Sequence, residues 1–101
     1  MKGFVKVAKK EQIPPGTGIT VEVGGTPVAV FNLGDRFCAT HNTCLHRQGP
    51  LGEGTLEENV VTCPLHGWQY NVDTGECLTT PGLRVTTFEV KVEGDDILVQ
   101  V

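Results

Sequence analysis

Two short pairs of metal-binding side chains stand out in this sequence. Cys44 and His46 are separated by one residue, and Cys63 and His66 are separated by two residues. Sixteen residues lie between His46 and Cys63. Thiolate sulfur and imidazole nitrogen suit zinc or an iron–sulfur cluster, whereas magnesium and calcium prefer oxygen ligands. Because four such residues at this spacing are improbable by chance, we predict a metal centre held by all four.

These four residues alone are compatible with both zinc and an iron–sulfur cluster. Structural zinc sites also combine two cysteines with two histidines, but they favour cysteine pairs separated by two to four residues. In this chain each pair holds one cysteine and one histidine, which is less usual for zinc. An iron–sulfur cluster is therefore favoured, and a structural zinc module remains the alternative.

The residues around the two pairs resemble those of the Rieske proteins. Cys-x-His, a gap of sixteen and Cys-x-x-His is similar to the ligand signature of that family, and residues 47–54 resemble the stretch that follows its first ligand histidine. Residues 63–70 and 73–75 are similar to its second motif, and Pro81 falls where the family has a proline loop over the cluster. The resemblance covers nearly the whole chain and is strongest to soluble Rieske-type ferredoxins and small subunits of nitrite reductase.

The resemblance implies a [2Fe–2S] cluster, one per chain. Cys44 and Cys63 would hold one iron, and His46 and His66 would hold the other. Two neutral imidazoles replace two anionic thiolates, so the oxidised centre is nearly neutral and accepts an electron more readily. Rieske potentials accordingly lie at roughly −150 to +300 mV, against about −400 mV for plant-type ferredoxins.

Several positions differ from those of the family's high-potential members. Gly49 and Leu65 stand where those members have a disulfide, and Trp68 stands where they have a serine that donates to a cluster sulfur. Tyr70 falls where they have a tyrosine whose hydroxyl reaches a ligand sulfur. Hydrogen bonds to sulfur favour the reduced state, so we predict a low to intermediate potential.

The composition is that of one globular domain. We expect a single Rieske domain over residues 1–101, with a cluster-binding subdomain at about 40–82 within it. The net charge of −4 argues against a nucleic-acid partner. No apolar stretch has the length of a signal peptide or a membrane span, so we expect no membrane association and a cytoplasmic location. A reducing cytoplasm also favours thiolate ligands.

Alternating apolar and polar residues, divided by glycine-rich turns, predict strands and no strong helix. The predicted strands are 4–8, 19–23, 28–31, 36–40, 60–62, 68–71, 87–92 and 97–101. Two loops, 40–54 and 64–67, carry the ligands to the tip of a small sheet. We predict the all-β Rieske fold, an antiparallel sandwich or barrel with an inserted cluster-binding subdomain.

Other residues of the ligand types have simpler interpretations. His41 lies outside the motif and is expected at the surface, whereas Cys38 and Cys77 are expected in the core or on strands. Nothing in the sequence supports a disulfide between these two cysteines. Leu45, Leu65 and Pro81 are expected to exclude water from the cluster sulfurs, and Trp68 is expected to pack beside the cluster.

These features predict an electron carrier. The family's oxygenases add a mononuclear iron held by two histidines and a carboxylate, and His41 alone cannot supply that site. We expect the chain, a monomer when free, to pass one electron from a reductase to a terminal oxidoreductase such as a dioxygenase, with no substrate site of its own. A tightly bound small subunit of an enzyme such as nitrite reductase is the alternative, because residues 47–54 resemble both classes.

Overall fold

A computed structural model describes residues 3–43, 50–65 and 67–100 of the chain. These residues form nine β-strands and two single-turn 3-10 helices, Lys10–Gln12 and Leu51–Glu53. The strands are β1 (Phe4–Lys9), β2 (Thr17–Val23), β3 (Thr26–Asn32), β4 (Phe37–His41), β5 (Thr55–Glu57), β6 (Val60–Thr62), β7 (Gln69–Asn71), β8 (Thr87–Glu93) and β9 (Asp96–Gln100). Across these three ranges, neither helix is long and apolar enough to cross a membrane.

The strands form two antiparallel sheets. Six of them follow the order β1-β9-β8-β4-β3-β2, and the two edge strands of this sheet approach each other, so that it nearly closes into a barrel. The other three form a small sheet in the order β5-β6-β7. The small sheet is inserted between β4 and β8, which pair with each other in the barrel. The predicted all-β class is confirmed.

Strand β3 is buried on both of its faces. Val28 and Val30 point into the barrel core, whose buried members are Ala8, Ile13, Val23, Val28, Val30, Ala39, Ile97 and Val99. Ala29 and Phe31 point to the opposite side, because successive side chains of a strand alternate. There they join a second core, made of Ala29, Phe31, Leu51, Leu56, Val61, Cys63, Tyr70, Val72, Cys77 and Val85. The barrel and the small sheet therefore share β3 as a common wall.

A glycine allows the largest side chain of β3 to fit. Gly18 on β2 pairs directly with Phe31, and a Cβ atom at residue 18 would lie 2.5 Å from Cδ1 of the Phe31 ring. Side-chain carbon atoms do not approach so closely without a shift of the ring or the strand. Glycine at this position lets the ring lie flat against β2.

Strand β5 is the one strand of the described residues that the sequence did not predict. It has three residues, too few for alternation to be recognised. Its register with β6, where Thr55 pairs with Thr62, defines it as a strand. The turn that joins β5 to β6 contains Glu58 at φ +54°, a left-handed conformation that is uncommon for a residue other than glycine.

The carboxylate of Asp73 joins the barrel to the small sheet. It accepts hydrogen bonds from Nε and Nη2 of Arg36 at 3.0 and 2.5 Å, and from Sγ of Cys38 at 3.1 Å. On the small-sheet side, Nδ2 of Asn59 donates to it at 3.3 Å. Asp73 follows β7, Asn59 precedes β6, and the other two residues lie at the start of β4. This Asp73 junction therefore ties both sheets together at one point.

We predict that Asp73→Asn loosens this junction and lowers the free energy of unfolding by about 1 kcal/mol at neutral pH, a modest value because solvent screens the partly exposed ion pair. The Arg36 guanidinium, by hydrogen bonding, lowers the pKa of the Asp73 carboxyl to about 2. This is below the ~3.9 of an unfolded aspartate, so the contribution is present above about pH 4 and is lost as the pH falls toward 2. Urea unfolding from pH 2.5 to pH 7 measures it.

The matched control is Asp35→Asn. Asp35 also pairs with Arg36, at 2.9 Å, but it is largely exposed. Its removal should change the free energy of unfolding by less than about 0.5 kcal/mol. Equal losses in the two variants would show that Asp73 contributes no more to stability than an exposed ion pair. A difference between wild type and Asp73→Asn that does not shrink at low pH would show that the charge of Asp73 is not its cause.

Candidate metal centre

Cys63 is the predicted ligand that the structure describes. It follows β6 directly, and its side chain is buried in the second core with 2% of its surface exposed. Val61, Leu51 and Tyr70 are buried in the same core. A soft sulfur ligand in an apolar surrounding is what an iron–sulfur centre requires.

The loop after Cys63 is a tight hairpin. The Cys63 N–H donates to the Trp68 carbonyl at 2.8 Å, which extends the pairing of β6 with β7 by one step beyond Thr62 and Gln69. The Gly67 N–H donates back to the Cys63 carbonyl at 3.0 Å, with Gly67 at φ +74°. This left-handed conformation, which favours glycine, closes the turn. The chain thus has a fixed path into and out of the second ligand loop.

The first ligand loop is closed at its base. Thr43 and Pro50 form an isolated antiparallel bridge, and the Leu51 N–H donates to the Asn42 carbonyl at 2.7 Å. The side chain of Asn42 adds a second link, because its Oδ1 accepts from the Gly52 N–H at 2.8 Å. Thr43 and Pro50, which flank residues 44–49 in the sequence, are therefore held side by side.

Both loops leave the same end of the small sheet. Strand β5 begins just after the first loop, and its residue Thr55 pairs with Thr62, which immediately precedes Cys63. Gly54 lies so close to β6 that an added Cβ atom would overlap the Thr62 carbonyl oxygen. This contact brings the end of the first ligand loop to the beginning of the second.

Three of the four predicted ligands, Cys44, His46 and His66, lie outside the described residues, as do Leu45 and Gly49. Their assignment stays a prediction, and the structure contributes the placement of the loop ends around them. Within 3–43, 50–65 and 67–100, no three His, Cys, Asp or Glu side chains come together as a metal-binding group. The residues present fit a centre that is built from the two loops jointly.

The remaining cysteines and His41 have structural roles. Cys38 and Cys77 are free thiols, so they form no disulfide with each other. Burial and the hydrogen bond to Asp73 raise the pKa of the Cys38 thiol to about 12, so it stays protonated at neutral pH. The sulfur of Cys77 accepts from the Thr80 N–H at 3.3 Å in the second core. His41 is half-buried rather than fully exposed, and its Nδ1 accepts from the Thr43 N–H at 3.2 Å.

The residues expected to surround the cluster are partly where the sequence places them. Trp68 packs against the second core, and Tyr70 is completely buried within it. Leu65 is 55% exposed, and Pro81 is also exposed. Asn42 is a further residue at the base of the loop, and its position was not predicted from the sequence. The sequence signal for it is its position: Asn42 lies two residues before the predicted ligand Cys44, and an asparagine side chain can cap a loop.

A model of the Rieske [2Fe-2S] domain matches residues 3–99. The chain belongs to the Rieske [2Fe-2S] family. Rieske proteins of this kind carry a [2Fe–2S] cluster and transfer electrons, and this chain is an electron carrier of that type. The zinc alternative is thereby set aside.

Among the relatives of this Rieske chain is the ferredoxin component of biphenyl 2,3-dioxygenase from Rhodococcus jostii, which is 40% identical over 97 residues, or 95% of this chain and 91% of the relative. A chain in the solved complex of reduced oxygenase and oxidised ferredoxin in carbazole 1,9a-dioxygenase has a TM-score of 0.87 at 39% identity, over 96% of this chain and 92% of that one. A protein named as an NADH-dependent nitrite reductase small subunit from Mycobacterium tuberculosis has a TM-score of 0.92, over 100% and 96% of the two chains. Its identity is 22%, so this likeness shows the fold alone.

Tyr70 gives a direct test of how the protein sets its potential. We predict that Tyr70→Phe, which keeps the buried ring and removes the hydroxyl, lowers the reduction potential by about 20–60 mV, the equivalent of one hydrogen bond in a one-electron couple. Redox titration of the purified protein measures the shift. An unchanged potential would mean that the hydroxyl does not donate to a ligand sulfur.

Proposed function

We propose that this protein is the ferredoxin of a dioxygenase system and carries single electrons from a reductase to the terminal oxygenase. The observation that supports this most strongly is the 40% identity, over 95% of the chain, to the ferredoxin component of biphenyl 2,3-dioxygenase. The similarity to a ferredoxin in the carbazole 1,9a-dioxygenase complex agrees with it. The alternative of a nitrite reductase subunit has a likeness of fold in its favour and a much lower identity.

We further propose the ligand set, with Cys44 and Cys63 on one iron and His46 and His66 on the other. The burial of Cys63 supports an inner, sulfur-bound iron at that position. The histidine-bound iron would then lie toward the loop tips, nearer to a partner. When bound, the cluster supplies the one-electron redox chemistry, and the chain supplies the ligands, the apolar surroundings and the surface that a partner meets.

The proposal extends to the organisation and location of the protein. It would act as a single Rieske domain over residues 1–101, in which about 40–82 form the cluster-binding subdomain. The insertion of the small sheet between β4 and β8 supports that division. The protein would work in the cytoplasm as a monomer that docks in turn on its reductase and its oxygenase.

Exposed apolar residues within the second ligand loop and later in the chain suit transient docking. Leu65 lies two residues from Cys63 and is 55% exposed, and Leu83 is 41% exposed. Leu83 belongs to the segment that is anchored to Cys77 by a main-chain hydrogen bond of 2.9 Å. Contact with a partner would remove this apolar surface from water at the place where electrons leave the cluster.

The first experiment tests the cluster and its ligands. Purified protein should be red-brown, should bleach with dithionite, and should give a reduced EPR spectrum of the histidine-ligated Rieske type. We predict that Cys63→Ser abolishes this spectrum. Cys38→Ser is the control, because it changes a cysteine outside the ligand set, and it should retain a full cluster.

The second part of the test concerns the partners. The reduced protein is mixed with the terminal oxygenase of a biphenyl dioxygenase system, and oxidation of its cluster is followed by stopped-flow absorbance. Rapid oxidation supports the ferredoxin role. A normal Rieske spectrum without transfer to this oxygenase, together with stable co-purification with a nitrite reductase from the source cells, would refute it in favour of the enzyme subunit.

We predict that Leu65→Ser weakens docking without altering the cluster. Losing part of a leucine contact should raise the ferredoxin concentration for half-maximal oxygenase turnover by about fivefold to tenfold. Val92→Ser, at a comparably exposed apolar residue on β8, is the control and should have no such effect. If both variants behave like wild type, Leu65 lies outside the docking surface.

A further inference from the structure

Asn42 lies where three parts of the fold meet. Its main-chain N–H donates to the Pro27 carbonyl at 3.0 Å, and its own carbonyl accepts from the Leu51 N–H at 2.7 Å. Its side-chain Oδ1 accepts from the Gly52 N–H at 2.8 Å and from the Thr20 hydroxyl at 3.1 Å. The residue is buried, with 8% of its surface exposed.

The close packing of Gly52 is a second, independent observation at the same place. A Cβ atom at residue 52 would lie 2.6 Å from Thr20 Oγ1 and 2.7 Å from the Ile19 carbonyl oxygen. Only glycine lets this backbone reach the side chain of Asn42 while resting on β2. The 3-10 helix Leu51–Glu53 is thus held against the barrel at the point where the chain returns from the first ligand loop.

We infer that Asn42 is a positioning residue for the cluster, and that its carboxamide fixes the two ends of residues 44–49 so that Cys44 and His46 are presented in one arrangement. The inference rests on the proposed ligand assignment. The carboxamide oxygen links the chain before the loop to the chain after it. Without this oxygen, the buried Gly52 N–H loses its partner, and the base of the loop becomes free to open.

An opened loop should release the cluster more readily and should hold it in a wider range of geometries. We expect Asn42→Ala to release its cluster to an iron chelator roughly tenfold faster than wild type, in line with the loss of the two hydrogen bonds that the carboxamide oxygen accepts. We also expect broader lines in the reduced EPR spectrum. Loss of visible absorbance at 25 °C and EPR of dithionite-reduced protein are the two measurements, and neither requires a partner protein.

A second buried asparagine serves as the matched control. Asn32 is 7% exposed, its Oδ1 accepts from the Gly34 N–H at 2.8 Å, and its Nδ2 donates to the Ile13 carbonyl at 2.7 Å. It lies at the end of β3, in a turn that carries no ligand. Asn32→Ala should lower the thermal unfolding temperature, yet leave the release rate within twofold of wild type and the EPR line width unchanged.

Two further variants separate the carboxamide oxygen from general stability. Asn42→Asp keeps an oxygen for both donors, Gly52 and Thr20, and should return the release rate to within about threefold of wild type. Thr20→Val keeps Asn42 and removes one of its donors, so it should speed release by a smaller factor, about threefold. Thr20 is exposed on a strand and valine is a good strand former, so we expect this variant to fold. It therefore tests the role of the carboxamide oxygen if Asn42→Ala does not fold.

Several outcomes would overturn the inference. Equal release from Asn42→Ala and Asn32→Ala would mean that Asn42 contributes to stability alone, and a Thr20→Val variant identical to wild type in both measurements would remove the carboxamide from any positioning role. These results leave the proposed function intact, since the wild-type protein would still show the Rieske spectrum. Wild-type protein without a cluster would instead overturn the ligand assignment and this inference with it.

Discussion

The structure depends on a single strand that is buried on both sides. Strand β3 gives Val28 and Val30 to the barrel core, and Ala29 and Phe31 to the second core. The second core in turn holds Cys63 and Tyr70, which lie next to the ligand loops. The position of the small sheet is therefore fixed by hydrophobic contact with the barrel wall, and the Asp73 junction adds a polar link at the opposite end of β7. A polar residue at Phe31 would disturb both sheets at once.

The ligand loops are supported at their ends. Main-chain hydrogen bonds close the second loop between Cys63 and Trp68, and the bridge from Thr43 to Pro50 closes the first. Each loop therefore starts and finishes at a fixed place, and the short pairing of β5 with β6 sets the two places side by side. The strands and their hydrogen bonds thus set the places from which both proposed ligand loops start.

Much of this could be predicted from the sequence. Alternation and glycine-rich turns located most of the strands, and the ligand spacing with its neighbouring motifs identified the family. The three-residue strand β5 escaped prediction because its formation depends on pairing with β6, a contact between segments. Asn42 was missed for the same reason: its partners Thr20 and Gly52 are far from it in sequence, and the need for a buried acceptor appears only when they meet. The half-burial of His41 likewise depends on how the base of the loop folds.

The hydrogen bond between Cys38 and Asp73 has a consequence for how the protein acquires its iron. A thiol competes for iron as its thiolate, and burial with the neighbouring carboxylate raises the pKa of Cys38 to about 12. Cys77, the other cysteine outside the ligand set, is buried in the second core. In the folded chain, the two cysteines outside the proposed ligand set are therefore a thiol that stays protonated at neutral pH and a thiol buried in the second core, and both are poor sites for iron.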